Sequence, residues 1–346
     1  METKQFQIHG ATGESTICIG EGLDQVQRYI PSGHCLIIAD HNVWTHHQKR
    51  FPDVTVIRLD ASEKTKSLTT VESLYSHFLE HGADRSTFVV GVGGGVVCDI
   101  AGFAAATYMR GLRYGFVATT LLAQVDASVG GKNGVNFQGY KNLVGVFRQP
   151  EFVLCDLTML ETLPETELIS GMGEVVKHAL IADAPLFDFL EQNSRGALGL
   201  DLNVIQRMVI DSVRIKSTVV AEDETEKGMR RVLNFGHTVG HALEKLTRIQ
   251  HGAAVSVGMV VACRISMLKG YLPSEDVQRV ERLLQGLSLP ISTSETIEHI
   301  MDAIRKDKKR VSDHIHFVLL KRIGEATVEE IPLVELKAMI SEVIDG

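Results

Sequence analysis

The chain has 346 residues, 44% of them hydrophobic and 23% charged, with a formal net charge of -8. That length exceeds what one hydrophobic core usually supports, so two domains are expected, and the composition is that of a soluble globular protein. The acidic balance argues against non-specific nucleic-acid binding, although basic residues could still gather around an anionic ligand. Five scattered cysteines, without a CxxC pair, fit a reducing cytosol better than a disulfide framework. The start, METKQFQIHG, shows no basic-then-apolar leader, and no uninterrupted apolar run long enough to cross a bilayer is evident. A cytoplasmic protein is expected, with neither nucleic acid nor membrane as a partner.

Along the first half, short apolar, β-favouring runs alternate with helical patterns. Strands are expected at 35–40, 54–59, 87–93, 114–119 and 152–156, with helices such as Leu68 to His81 and Val96 to Thr107 between them. Strands separated by helices of this length imply a parallel sheet with right-handed crossovers. After Pro164 helical patterns take over, at 165–182, 202–220, 226–246, 253–269, 275–286 and 332–344. A small hairpin is expected from 314–320 and 326–331. The fold class is therefore an α/β parallel-sheet domain, residues 1–163, followed by a mostly α-helical domain, 164–346.

The cluster VGVGGGVVCDIAGF, 90–103, lies where a strand gives way to a helix. Glycines there let backbone amides approach a pyrophosphate, and a helix N-terminus favours its charge. The GxGxxG fingerprint is incomplete, because Val96 stands in the third place, and tight strand–helix packing without a ligand is the competing reading. Thr119 and Thr120 follow the next strand and either contact a ribose or cap a helix. The segments QVDASVGGKNGVN and YKNLVGVF are polar and glycine-rich beside the sheet's carboxyl edge, where open α/β sheets bind ligands. Asp126, Lys132, Lys141 and Asn142 are candidate contacts there, although a loop lysine is more often merely solvated.

Three histidines fall within LNFGHTVGHALEKLTRIQHGAAVSVGM. His237 and His241 are four apart and share a helical face, and His251 follows where Gly252 lets the chain turn back. Converging imidazoles suit a divalent metal such as zinc if a further ligand arrives, and Glu174 in GMGEVVKHAL, one turn from Lys177, is the candidate. A partly buried, hydrogen-bonded histidine pair without metal is the alternative. Lys216, Glu226, Arg230 and Asn234 are spaced so that several share helical faces with His237, and RKDKKR at 305–310 would offer countercharge to a phosphorylated substrate.

Taken in order, GGGVVCDIAGFAAATYMRG, TTLLAQVDASVGGKNGVN, KNLVGVFRQP, GMGEVVKH, LNFGHTVGHALE and HGAAVSVGM resemble the 3-dehydroquinate synthase family, from 61–67 to 307–309. The resemblance implies a Rossmann-like NAD domain, a helical metal- and substrate-binding domain, and a homodimer. It implies conversion of 3-deoxy-D-arabino-heptulosonate 7-phosphate to 3-dehydroquinate and phosphate, with NAD used catalytically and Zn2+ or Co2+ as the metal. Glu174, His237 and His251 then look like the metal ligands, and His241 and Glu226 like the groups that move protons. Substrate contacts would be Arg110, Asp126, Lys132, Asn142, Lys177, Lys216, Arg230, Asn234 and Lys308, with Lys132 and Lys177 also serving catalysis. The NAD site would take Asp40, Glu63, Lys66, the run Gly93, Gly94, Gly95, Val96, Val97, Cys98 and Asp99, then Thr119 and Thr120. Lys132, Lys141 and the stretch Met159, Leu160, Glu161 and Thr162 would complete it.

Four positions depart from the family pattern. Cys98 and Ser62 stand where glycine is usual, Ala118 where proline is, and Ala253 where HGEAV has glutamate. A carboxylate at that last position could orient His251, and Glu244, seven residues from His237, is a possible substitute. The rival readings are a sister sugar-phosphate cyclase, of the 2-epi-5-epi-valiolone or 2-deoxy-scyllo-inosose synthase type, and a metal-dependent polyol dehydrogenase. The intact GGK and GVN speak against the first, and the retained lysines and arginine against the second.

Overall fold

A computed structural model of the chain describes residues 3–306 and 313–345. The chain divides into two compact units, Met1–Pro164 with Ile205–Thr225, and Glu165–Val204 with Glu226–Gly346.

The first unit is built on a seven-stranded sheet. Its strands are β1 (Lys4–Gly10), β2 (Gly13–Ile19), β3 (Cys35–Asp40), β4 (Thr55–Leu59), β5 (Phe88–Gly93), β6 (Arg113–Ala118) and, after a separate hairpin, β9 (Phe152–Cys155). The order across the sheet is β1-β2-β9-β6-β5-β3-β4, with β1 and β2 antiparallel and the rest parallel. Central strands such as CLIIA, 35–39, and FVVGVG carry no polar side chain because both faces of a parallel sheet are covered. Helices α1 (His41–His47), α2 (Leu68–Glu80) and α3 (Gly95–Thr107) make the connections. Ser67 starts α2 by accepting the Thr70 N–H at 3.3 Å. From β3 the chain runs outward to β4 and then returns to the other side of β3 as β5. The carboxyl ends of β3 and β5 therefore flank the point where strand order reverses, the usual ligand position in such sheets.

The five expected strands and both expected helices form, and the strand–helix alternation is as read. The β1–β2 hairpin was not anticipated, because β1 buries little beyond Ile8 and alternates too weakly to mark a strand. The segment read as a glycine-rich loop is a second hairpin, β7 (Lys132–Phe137) with β8 (Tyr140–Phe147). Gln138 and Gly139, both with positive φ, make its two-residue turn.

The second unit contains α4 (Glu165–Ala182), α5 (Ala184–Leu198), α7 (His237–Thr247), α8 (His251–Leu268), α9 (Ser274–Gly286), α10 (Ile297–Arg305), the hairpin β10 (His314–Arg322) with β11 (Glu325–Pro332), and α11 (Leu333–Asp345). Between α5 and α7 runs α6 (Leu202–Glu222), whose residues from Ile205 belong to the first unit. The expected single helix over 226–246 does not form. A short helical turn, Met229–Asn234, ends before Gly236, whose left-handed φ of 77° breaks the path and starts α7 at His237. Arg230 and Asn234 thus do not share a helix with His237. Helix α8 is long and apolar enough to cross a membrane by length and composition, but its apolar run is interrupted by Arg264 and 72% of it is buried in the protein.

Packing places the hairpin strand β7 against α3. A Cβ on Gly102 would lie 2.0 Å from Asn133 Oδ1, and the Asn133 amide is itself fixed by Tyr114 Oη (2.9 Å) and the carbonyls of Gly131 and Arg148 (3.1 and 3.0 Å). Because Asn133 cannot yield without losing these bonds, Gly102→Ala should cost about 1–3 kcal/mol, read as a lower denaturant midpoint at unchanged slope. A midpoint equal to wild type would show that β7 has room to move away from α3.

Candidate functional site

Three helices of the second unit meet at one carboxylate. Glu174, on α4, has no exposure to solvent. Its Oε1 lies 3.2 Å from His251 Nε2 and 3.5 Å from His237 Nε2, and its Oε2 pairs with Lys177 one turn along the same helix. The ligand atoms of Glu174, His237 and His251 all fall within 4.8 Å of one another. His241, Glu244 and His251 form a second group meeting the same limit. The His237 ring centroid is 5.1 Å from that of His241 and 5.3 Å from that of His251.

Two glycines permit this approach. Gly252 is not the turn that the sequence suggested. It is the second residue of α8, where its N–H donates to Ser170 Oγ at 3.0 Å and an added Cβ would sit 2.0 Å from the Ser170 carbonyl oxygen. Gly236 similarly leaves no space for a Cβ, which would lie 2.8 Å from the Val255 carbonyl. The turn before α8 uses Arg248, in the left-handed region at φ 59°.

The histidines are oriented through their far nitrogens. His237 Nδ1 lies 3.1 Å from the Phe235 carbonyl, and His251 Nδ1 lies 3.2 Å from Glu244 Oε1. Each contact leaves an Nε2 facing Glu174, the donor set of two imidazoles and one carboxylate that suits zinc or cobalt with a coordination position to spare. Burial first, then the Lys177 charge, hold the His237 pKa well below the usual imidazole value, so its lone pair is free. At His251 burial acts in the same direction, but hydrogen bonds to Glu174 and Glu244 outweigh it and raise the pKa to about 9. A cation arriving there displaces a proton.

Elsewhere in this unit Arg230 is buried, and Asn234 Nδ2 donates to Glu226 Oε1 at 2.5 Å. Glu226 itself has a positive φ of 60°. Lys308 lies outside the described residues.

In the first unit the glycine run forms the β5–α3 turn. Gly94 precedes α3 and no side chain caps that helix, and an uncapped helix start of this kind favours an anion. A Cβ on Gly94 would lie 2.8 Å from Thr120 Cγ2, and the Thr119 N–H donates to the Gly93 carbonyl at 3.0 Å. Thr120 Oγ1 accepts the Ala123 N–H at 3.1 Å, the capping role considered for it. Asp40 ends β3 beside β5, starts α1, and has its pKa raised by burial. Lys66 pairs with Asp99, and Lys216 Nζ meets the Asp126 carboxylate at 2.7 Å. Met159 and Leu160 are buried and Glu161 exposed, while Thr162 Oγ1 lies 2.8 Å from His47 Nε2. Lys132, Lys141, Asn142 and Arg110 are exposed. Asn136, quoted only as the end of GVN, was not singled out by the sequence, yet it bonds to both Glu63 and Asn142.

Comparison with known proteins places this fold among cyclases of sugar phosphates. A 2-deoxy-scyllo-inosose synthase complexed with carbaglucose-6-phosphate, NAD+ and Co2+ superposes with a TM-score of 0.86 at 29% identity, covering 98% of this chain and 100% of that one. A 2-epi-5-epi-valiolone synthase from Streptomyces hygroscopicus with NAD+ and Zn2+ bound gives 0.87 at 27%, covering 94% and 96%. The family description "3-dehydroquinate synthase N-terminal" matches residues 56–170, and "3-dehydroquinate synthase C-terminal" matches 171–310. The 3-dehydroquinate synthase of Pyrobaculum islandicum is 38% identical over 348 residues, spanning 99% of this chain and 98% of its own length. The chain belongs to the 3-dehydroquinate synthase family.

Glu244 occupies the position from which a carboxylate can orient His251, as the sequence suggested. Glu244→Gln should speed zinc loss to a competing chelator by about 10–100-fold, and adding Ala253→Glu should restore retention. An off-rate unchanged by both substitutions would make Glu244 a helix-packing charge only.

Proposed function

We propose that the chain converts 3-deoxy-D-arabino-heptulosonate 7-phosphate to 3-dehydroquinate and inorganic phosphate, with NAD regenerated in each turnover and a zinc or cobalt ion. The observation carrying this reading is the convergence of Glu174, His237 and His251 beside Lys177, in a chain whose two halves both match the family. The NAD and the cobalt or zinc bound by the two cyclase structures support the same pair of cofactors here. When bound, NAD supplies transient removal and return of a hydride at a ring alcohol, and the metal supplies Lewis acidity to that oxygen.

The chain's own residues supply the rest. Asp40 and the uncapped turn Gly93–Gly95 lie at the strand-order reversal, which supports them as the cofactor cradle, with Glu63, Lys66 and Thr119–Thr120 beside them. Once the alcohol is a ketone, the neighbouring C–H is acidic enough to be lost and phosphate can leave. His241, exposed on the helix that carries His237, and Glu226, held by Asn234, are assigned to move protons. Lys132, Asn142, Asp126 and Lys216 in the first unit, and Lys177 and Arg230 in the second, are assigned to the substrate's phosphate, carboxylate and hydroxyls. Residues 1–163 are read as the NAD domain and 164–346 as the metal and substrate domain. The protein is read as a cytoplasmic homodimer, and its five free, buried cysteines suit a reducing compartment.

Protein stripped of cofactor should release phosphate from the heptulosonate only when NAD is restored, in amounts far below the substrate and without net NADH. NADH accumulating in step with product would contradict this reading and indicate a dehydrogenase. Release from a different sugar phosphate alone would indicate a sister cyclase.

A further inference from the structure

Asn136 sits at an irregularity of the β7–β8 hairpin. The register shifts between Val135 and Phe137, so Asn136 lies at a bulge, which re-aims its side chain. Its backbone N–H donates to the Lys66 carbonyl at 2.9 Å and forms an isolated bridge to Ser67, anchoring β7 to the segment before α2. The side-chain amide then reaches in two directions. Its Oδ1 accepts the Asn142 backbone N–H at 2.9 Å, and its Nδ2 donates to Glu63 Oε1 at 2.7 Å. The orientation is dictated by chemistry, since a backbone N–H must meet an oxygen and a carboxylate must meet a donor. Asn142 needs the support, because its backbone is left-handed at φ 50°.

We propose that Asn136 is a positioning residue that ties the cofactor-facing Glu63 to the substrate-facing Asn142, so that ordering one loop orders the other. Both neighbours owe their roles to the proposed function, on which this inference rests. Lys132 stands four residues earlier on the same strand. A single amide of the hairpin thus joins Glu63, in the 60–67 segment, to Asn142 on β8.

Reversing the polarity of the bond tests the tie. Asn136→Asp keeps an acceptor for the Asn142 N–H but sets a second carboxylate against Glu63. Glu63→Gln in the same chain would return a donor to that contact. NAD binding measured by equilibrium dialysis without substrate should weaken roughly tenfold in Asn136→Asp, and less than about twofold when the same change is made in the Glu63→Gln background. Equal losses in both backgrounds, or none in either, would overturn the proposal. The Asn142 arm is read from the KM of the heptulosonate, which should rise roughly tenfold in Asn136→Ala and by less than about twofold in Asn136→Asp. Equal KM values in the two variants would overturn it as well. Wild-type protein that binds NAD but releases no phosphate from the heptulosonate would contradict the proposed reaction alone, leaving the dialysis cycle to decide the tie. Wild-type protein that binds no NAD would overturn both.

Discussion

A carboxylate wholly removed from water is costly unless its charge is met, and Glu174 is such a group. The second unit is arranged around meeting it. Lys177 supplies one full positive charge from the next turn of α4, and His237 and His251 point their Nε2 atoms at the other oxygen. Breaking a buried pair by removing one partner typically costs about 3–5 kcal/mol, so the geometry has little freedom to drift. The close crossing of α4 with α8 at Gly252, and of α7 with α8 at Gly236, follows from the same demand. A divalent cation among these donors would complete the compensation, taking the free lone pair of His237 and displacing the proton held at His251.

The first unit solves a different problem with backbone rather than side chains. Its sheet reverses strand order between β3 and β5, which leaves the glycine turn at Gly93–Gly95 and the carboxyl end of β3 side by side. Glycine at Gly94 lets Thr120 approach closely, and no side chain caps α3. The polar hairpin β7–β8 is packed onto α3 at Gly102 and Asn133 and bonded to the 60–67 segment through Asn136. Glu63 and Asn142 are therefore held by the same amide of Asn136.

Much of this could be read from the residues. CLIIA and FVVGVG announce themselves because strands buried on both faces are continuously apolar, and α4 and α9 because their apolar positions recur at helical spacing. The β1–β2 hairpin and β7–β8 could not be read this way, since β1 and β8 lie largely in water and carry no apolar stripe. Apolar periodicity runs straight through Gly236 and merges a short turn with α7, whereas the backbone leaves the helical path at Phe235 and Gly236. At the candidate site, the His237/His241 pair was legible from spacing. Glu174, sixty-three residues before His237, could be read only as a candidate further ligand, because its approach to the histidines depends on tertiary packing. Asn136 stayed hidden because a bulge, which no local signal marks, directs it.

Two overlapping groups could hold the metal, and the proposed ligands are Glu174, His237 and His251 rather than His241, Glu244 and His251. Cobalt(II) titrated into metal-free protein reports this directly through its visible ligand-field absorption. Wild type should bind one equivalent, His241→Ala should show the same absorption, and Glu174→Gln should lose it. A spectrum that survives in Glu174→Gln and disappears in His241→Ala would contradict this assignment.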